Sequence, residues 1–339
     1  MKKLISKIKH ADRRMVTLVS MFVVVLAVMC ILNPTQFATP SNFKNIMLQI
    51  AENGCFATAY FLVFVCGGFN FACVMIGNLC GIVLAVVCQS AFVKSLSPAL
   101  AVIFGVLAAL ITGVACGSFM AFFVHKFKIP PLMVTICSST LFQGIGFMLT
   151  RGQSALAPSV FVKIGAATIF KVVPVLLIIM LLCFLVCNCF LRKTRLGWQA
   201  RLYGLNKVAN RYTGISNAKT LQAVYILSGV LSAVGGMIVL SKYGSVKPDY
   251  GTSLTTTIIL IVMLSGITIG TGNESVLGVL LSLLTVQLLS SGFSIAGINA
   301  NITTFLYGVM LLVVVFITTK GYEKFEFYRR WKKRRAAKA

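Results

Sequence analysis

The sequence predicts an all-α, polytopic helix bundle embedded in a membrane, and three observations lead there. Of its 339 residues, 58% are hydrophobic and only 11% charged, where a soluble globular chain is about half apolar and about a quarter charged. Mean hydropathy is +0.94, and the apolar residues gather in runs near the ~20 residues that a helix needs to cross a hydrocarbon core of about 30 Å. Basic residues collect in the segments between those runs, whereas the acids number only six: Asp12, Glu52, Asp249, Glu274, Glu323 and Glu326. The alternating ten-residue segments of a membrane β-barrel are absent.

Residues 1–15 form a basic tail carrying Lys2, Lys3, Lys7, Lys9, Arg13 and Arg14. The apolar run Val16–Leu32 follows. No small-x-small cleavage site closes it before Asn33-Pro34, so it is predicted to be an uncleaved first span rather than a signal peptide. Further spans are predicted at 46–66, 71–90, 98–124, 131–150, 172–191, 219–240, 254–270, 276–291 and 301–319, about ten in all. Several are short, which tilted or broken helices inside a bundle accommodate. Gly77-x3-Gly81, Gly113-x3-Gly117 and Gly266-x3-Gly270 predict places where two helix backbones approach closely. The transmembrane region thus runs over 16–319, with a second basic tail at 320–339.

An even number of spans puts both termini in the cytoplasm. Lys44, Lys94, Arg151, Lys163, Lys171, Lys242 and Lys247 then fall outside, and the remaining 24 of the 31 Lys and Arg fall inside. That is the positive-inside bias of a membrane protein. The net charge of +25 therefore reads as orientation and attraction to anionic lipid, not as a nucleic-acid footprint. The fifth span ends outside, so the two halves have opposite orientations, as an inverted repeat would.

The eleven cysteines lie in or beside apolar runs, as small packing hydrophobes do. Cys66, Cys73 and Cys80 recur every seven residues, so two of them can share a helix face. Both histidines, His10 and His125, sit in basic segments, so no metal site is predicted. No phosphate-binding glycine loop, nucleophile elbow or pair of carboxylates is present, which argues against an enzyme. Glu52 is the lone carboxylate within reach of membrane depth, and it lies near the outer end of its predicted span. Without a group to couple ions, the chain is expected to draw energy from a partner. The segment 192–218 suits docking such a partner: it is long, polar and acid-free, with six Lys/Arg between Arg192 and Ile215.

Several local sequences occur in a fixed order. They are Gly67-Gly-Phe-Asn-Phe-Ala-Cys-Val-Met-Ile-Gly77, Lys126-Phe-Lys-Ile-Pro-Pro-Leu-Met-Val-Thr135 and Phe142-Gln-Gly-Ile-Gly-Phe-Met-Leu-Thr-Arg-Gly152. After them come the loop from Trp198 to Ile215, then Tyr225-Ile-Leu-Ser-Gly-Val-Leu-Ser-Ala-Val-Gly-Gly236 and Ser265-Gly-Ile-Thr-Ile-Gly-Thr-Gly-Asn-Glu-Ser-Val-Leu-Gly278. Over about 45–319 this ordered set resembles the permease subunit of ribose-type monosaccharide ABC importers. The wider family also includes permeases for nucleosides, autoinducer-2 and branched-chain amino acids.

The resemblance implies a homo- or heterodimer of ten-span permease subunits in a bacterial inner membrane. A soluble binding protein would deliver the solute outside. Cytoplasmic ATPase subunits would consume the ATP, so no cofactor is expected on this chain. The loop would contain a coupling helix delimited by Gly197, Gly204 and Gly214. Trp198, Leu202, Tyr203 and Leu205 would be its apolar anchors, and Arg201, Lys207 and Arg211 would meet an acidic rim. Two departures stand out. The family's Asp and Ser at the second-to-third junction are here Asn70 and Ala72, and Asn273-Glu274 replace its last glycines near 265–274.

For a translocation path, the candidates are the polar groups inside spans: Gln49, Asn53, Asn70, Asn78, Thr135, Gln143, Thr255, Thr256, Thr257, Gln287 and Asn301. Neutral hydrogen-bonding side chains suit a neutral polyol. The same groups also serve to join helices or to satisfy broken backbone. A nucleoside, autoinducer-2 or branched-chain amino acid permease is the near alternative, and an ion-coupled secondary transporter the distant one.

Overall fold

Prolines and polar caps set where the helices begin. Pro40, Pro98 and Pro131 each occupy the first turn of a helix, where the missing N–H costs nothing and the fixed φ suits the helix. The computed structural model describes residues 13–32, 37, 39–90, 97–169, 173–206, 210, 216–266, 275–299, 301–314 and 316. Within these lie α1 (Arg13–Leu32), α2 (Pro40–Val65), α3 (Cys73–Gln89), α4 (Pro98–Lys126), α5 (Pro131–Thr150) and α6 (Ser159–Ala166). They are followed by α7 (Val175–Lys193), α8 (Arg195–Leu205), α9 (Asn217–Tyr243), α10 (Leu254–Leu264) and α11 (Val276–Ile295). The last is α12 (Asn301–Val314). Lys207, Arg211, Gly214, Gly270, Asn273, Glu274 and both predicted tails beyond 13 and 316 lie outside the described residues.

Among the described residues, six helices are long and apolar enough to cross a bilayer: α2, α4, α5, α7, α9 and α11. Shorter apolar helices occupy α3, α10, α12 and the Leu18–Ile31 part of α1. The chain is therefore a helical membrane bundle. α2 begins six residues before the predicted span at 46, because hydropathy stops at Ser41, Asn42 and Lys44 while the helix continues to Pro40. Between the predicted spans at 131–150 and 172–191 the chain carries α6 and short strands. β1 (Ala155–Leu156) pairs antiparallel with β4 (Ser245–Val246), and β2 (Thr168–Ile169) with β3 (Val173–Pro174).

α2 and α9 form the centre. Their apolar windows are 89% and 72% buried, against 22% for α4. α4 instead turns Ile103, Phe104, Leu107 and Ile111 outward, a stripe suited to lipid tails. Lipid is as apolar as leucine, so helices in a membrane associate by close packing instead of by escape from water. Two of the three predicted glycine pairs, Gly77/Gly81 and Gly113/Gly117, provide that packing, and both meet α9. A Cβ on Gly113 would stand 2.7 Å from the Gly229 carbonyl oxygen, and one on Gly117 would overlap the Tyr225 carbonyl. On α3, a Cβ at Gly77 would stand 2.8 Å from the Ser232 carbonyl, while one on Gly236 would overlap the Gly77 carbonyl.

Between α2 and α3 the backbone leaves the helical path over residues 66–72, with Gly67 at φ 74°. Non-helical backbone at membrane depth needs internal partners, and side chains supply them. The Asn70 Oδ1 accepts the Ala72 N–H at 3.1 Å, the Thr135 hydroxyl donates to the Phe69 carbonyl at 3.1 Å, and Asn70 Nδ2 donates to the Ser228 hydroxyl at 2.9 Å. Ser228 in turn donates to the Ala59 carbonyl at 2.7 Å. Asn70 thus ties α2, α3 and α9 together.

Two stability outcomes follow, measured by thermal unfolding of purified protein in detergent. Gly236→Ala should destabilise by about 1–3 kcal/mol through overpacking against α3, while Gly308→Ala, with nothing within 4 Å of its Cβ, should stay within about 0.5 kcal/mol of the parent. Asn70→Leu should cost about 1–3 kcal/mol by stranding the Ala72 N–H. Asn70→Asp keeps the acceptor and should lose less.

Candidate functional site

The most distinctive polar feature is α8, which lies across one end of the bundle. Its start is fixed by Thr194, whose hydroxyl oxygen accepts the Gly197 N–H at 3.0 Å, the usual role of a threonine cap. The helix begins two residues before Gly197 and ends one after Gly204. The glycines therefore do not delimit it, as the sequence suggested. They lie inside it and let it touch the bundle. A Cβ on Gly197 would overlap the Phe190 carbonyl at the end of α7, and one on Gly204 would overlap the Val65 carbonyl at the end of α2. Between them Ala200 is fully buried, and its carbonyl oxygen accepts from the Cys66 thiol at 3.6 Å. The Thr220 hydroxyl donates to Gln199 Oε1 at 3.2 Å, which joins α8 to α9.

The opposite side of α8 is open. Trp198 and Leu205 are 53% and 44% exposed, one above the other at a seven-residue interval. Arg195 is exposed, and Arg201 and Leu202 are half-buried at the flank. Tyr203 leans inward against the core, and burial pushes its phenol above the ordinary tyrosine range. Of the predicted anchors, Trp198 and Leu205 are thus presented outward, whereas Tyr203 faces the bundle.

The predicted path residues separate into groups. Gln49, Asn53 and Gln287 meet between α2 and α11. Asn53 Nδ2 donates to Gln287 Oε1 at 3.1 Å, and Gln287 Nε2 donates to Gln49 Oε1. One turn away the Ser291 hydroxyl donates to Asn42 Oδ1 at 2.8 Å, extending the seam. Asn70 and Thr135 belong to the 66–72 junction. Asn78 Nδ2 donates to the Tyr250 carbonyl at 2.7 Å, which fastens α3 to the turn between α9 and α10. Gln143 and Thr256 are half-buried and Asn301 is exposed, and they join none of these clusters.

Two features escaped the sequence reading. On α5, Thr140 and Gly144 are exposed and Ser139 and Gln143 are half-buried, a polar strip at helical spacing on an otherwise apolar outward face. The i, i+1, i+4, i+5 spacing was the available signal. The second is a buried carboxylate cluster where the middle of α2 meets the end of α9 that lies away from α8. Glu52, 3% exposed, is paired with Lys242 at 2.7 Å. It also accepts from the phenols of Tyr250 at 2.5 Å and Tyr243 at 3.3 Å. Burial, then the Glu52 carboxylate, pushes the Tyr250 phenol well above its ordinary range. No spacing signal connects residues 190 positions apart. Among the described residues, no three His, Cys, Asp or Glu converge to hold a metal.

A family profile described as branched-chain amino acid transport system / permease component matches residues 42–315. The autoinducer 2 import system permease protein LsrD of Photorhabdus laumondii is 28% identical over 83% of this chain and 85% of its own length. The ribose import permease protein RbsC of Bacillus subtilis is 28% identical over 88% of this chain and 91% of its own. LsrD of Escherichia coli K12 is 30% identical over 77% of this chain and 79% of its own. No solved structure matches. With most of its length matched, the chain belongs to this family of permease components, and it is accordingly a multi-pass inner-membrane transport subunit and not an enzyme.

Proposed function

We propose that the protein is the permease subunit of an ATP-driven, binding-protein-dependent importer for a monosaccharide or a similar small polar solute. The observation that carries this reading is α8. A short capped helix is held rigidly against the ends of α2 and α7 and turns Trp198 and Leu205 outward. That is the form required to receive force from a soluble engine. An apolar side chain left on a surface among Lys and Arg is suited to a groove in a partner with an acidic rim. Names of relatives that import ribose and autoinducer 2 support a polyol-like solute.

In this reading ten helices cross the membrane, both termini lie in the cytoplasm, and α8 faces that side. The solute passes beside the α5 strip of Ser139, Thr140, Gln143 and Gly144, whose Gln143 amide would be costly to leave against lipid and which suits a polar path shared with a second permease subunit. Gln49, Asn53, Asn70, Asn78, Thr135 and Gln287 hold helices together around that path. The ion-coupled alternative loses its one candidate, because the Glu52 carboxylate is already neutralised by Lys242.

Tagged protein purified in mild detergent from its native host should bring down an ATPase. Trp198→Asp/Leu205→Asp should abolish that recovery and uptake while leaving membrane insertion intact. Parent protein that transports in vesicles with no second polypeptide would overturn the reading. Uptake of a labelled pentose should be competed by related sugars far better than by nucleosides or branched-chain amino acids, with at least a tenfold difference expected for a site built around hydroxyl hydrogen bonds.

A further inference from the structure

The Glu52 cluster has no place in solute chemistry or in docking, yet it is the one ion pair among the described residues. Burying two charges is seldom a net gain in stability, since apolar side chains of similar volume do as well. An ionisable residue at membrane depth therefore points to a role beyond packing. Its connections indicate what that role is. Glu52 sits in the middle of α2. Lys242 and Tyr243 are the last two residues of α9, and Lys242 Nζ also lies 4.5 Å from the centre of the Tyr243 ring. Tyr250 belongs to the turn into α10, between Gly244 and Gly251, both at φ 68°. Asn78 holds the same turn from α3. One carboxylate therefore gathers α2, the end of α9 and the α9–α10 turn.

The far end of α2 touches α8 through Val65 and Cys66. α2 is unbroken from Pro40 to Val65, so Glu52 and the α8 contact are joined by about 20 Å of continuous helix at 1.5 Å per residue. A buried, continuous helix transmits displacement along its axis instead of absorbing it. We propose that Glu52, Lys242 and Tyr250 are positioning residues that pass movement of α8 through α2 to the α9–α10 turn, and so set how much solute moves per ATP consumed. This rests on α8 being the coupling helix.

The test uses the complete complex of permease, ATPase and binding protein in liposomes, with Glu52→Gln, Lys242→Met, Tyr250→Phe and the exchange Glu52→Lys/Lys242→Glu. Recovery of ATPase with the tagged chain, basal ATP hydrolysis and solute uptake per ATP are measured for each. Glu52→Gln and Lys242→Met should keep assembly and basal hydrolysis within about twofold while uptake per ATP falls about tenfold, within the usual range for coupling between sites. The exchange variant should recover part of that loss, because it restores opposite charges in contact. Tyr250→Phe removes a single hydroxyl and keeps the ring. It should lower uptake per ATP about threefold, which tests the proposal even if the charge variants fail to assemble. Unchanged uptake per ATP in every variant that assembles, or a loss of uptake in strict proportion to lost complex, would overturn the positioning role. Failure of the underlying reading looks different: the parent chain itself would recover no ATPase.

Discussion

Backbone contact between α9 and its neighbours sets the spacing of the whole bundle. At Gly229 against Gly113, and at Gly236 against Gly77, no side chain separates the helices. In lipid the only gains from association are dispersion and hydrogen bonding, and both require that distance. Once α3 and α4 are drawn onto α9, α2 is enclosed among them and buried along most of its length. The hydrogen bonds from Asn70 to Ser228 and from Ser228 to Ala59 are possible only at that separation. They in turn allow the backbone of 66–72 to leave helical geometry without stranding its polar groups.

The enclosed α2 then carries a contact at each level of the bundle. Its end meets α8, its middle carries Glu52, and its seam with α11 is fastened by Gln49, Asn53 and Gln287. A helix so constrained moves as a unit or not at all. This explains why the polar groups of this chain are concentrated on α2 and its partners, while α4 and α12 show lipid-suited side chains such as Ile111 and Phe305.

Much of this was legible in the residues. Apolar run length identified the helical membrane class, since crossing a bilayer imposes a length on any helix. The Gly77/Gly81 and Gly113/Gly117 spacings announced close contacts, and the structure gives both pairs α9 as their partner. The segment after Arg192 reads as polar and acid-free, and in the structure it carries α8 with Trp198 and Leu205 facing outward. Tyr203, expected beside them as an apolar anchor, instead faces the bundle, because amphipathicity in an eleven-residue helix marks two faces without saying which one meets the protein. The start of α2 at Pro40 was missed for a related reason: hydropathy registers lipid, and the first turns of that helix carry polar residues.

What the sequence determined by itself is whatever depends on local chemistry. Helix length, proline starts, the Thr194 cap and the bias of basic residues all act within a few positions of one another. Only the tertiary structure decided which distant groups meet. Glu52 with Lys242, Asn53 with Gln287 and Gly204 with Val65 are pairings across 100 residues or more, specified by how the helices pack and not by any periodicity along the chain. In a bilayer, moreover, a lone buried polar side chain looks the same in sequence whether it faces a solute or a neighbouring helix. The hydrogen bond it makes distinguishes the two, and that bond exists only after the bundle has closed.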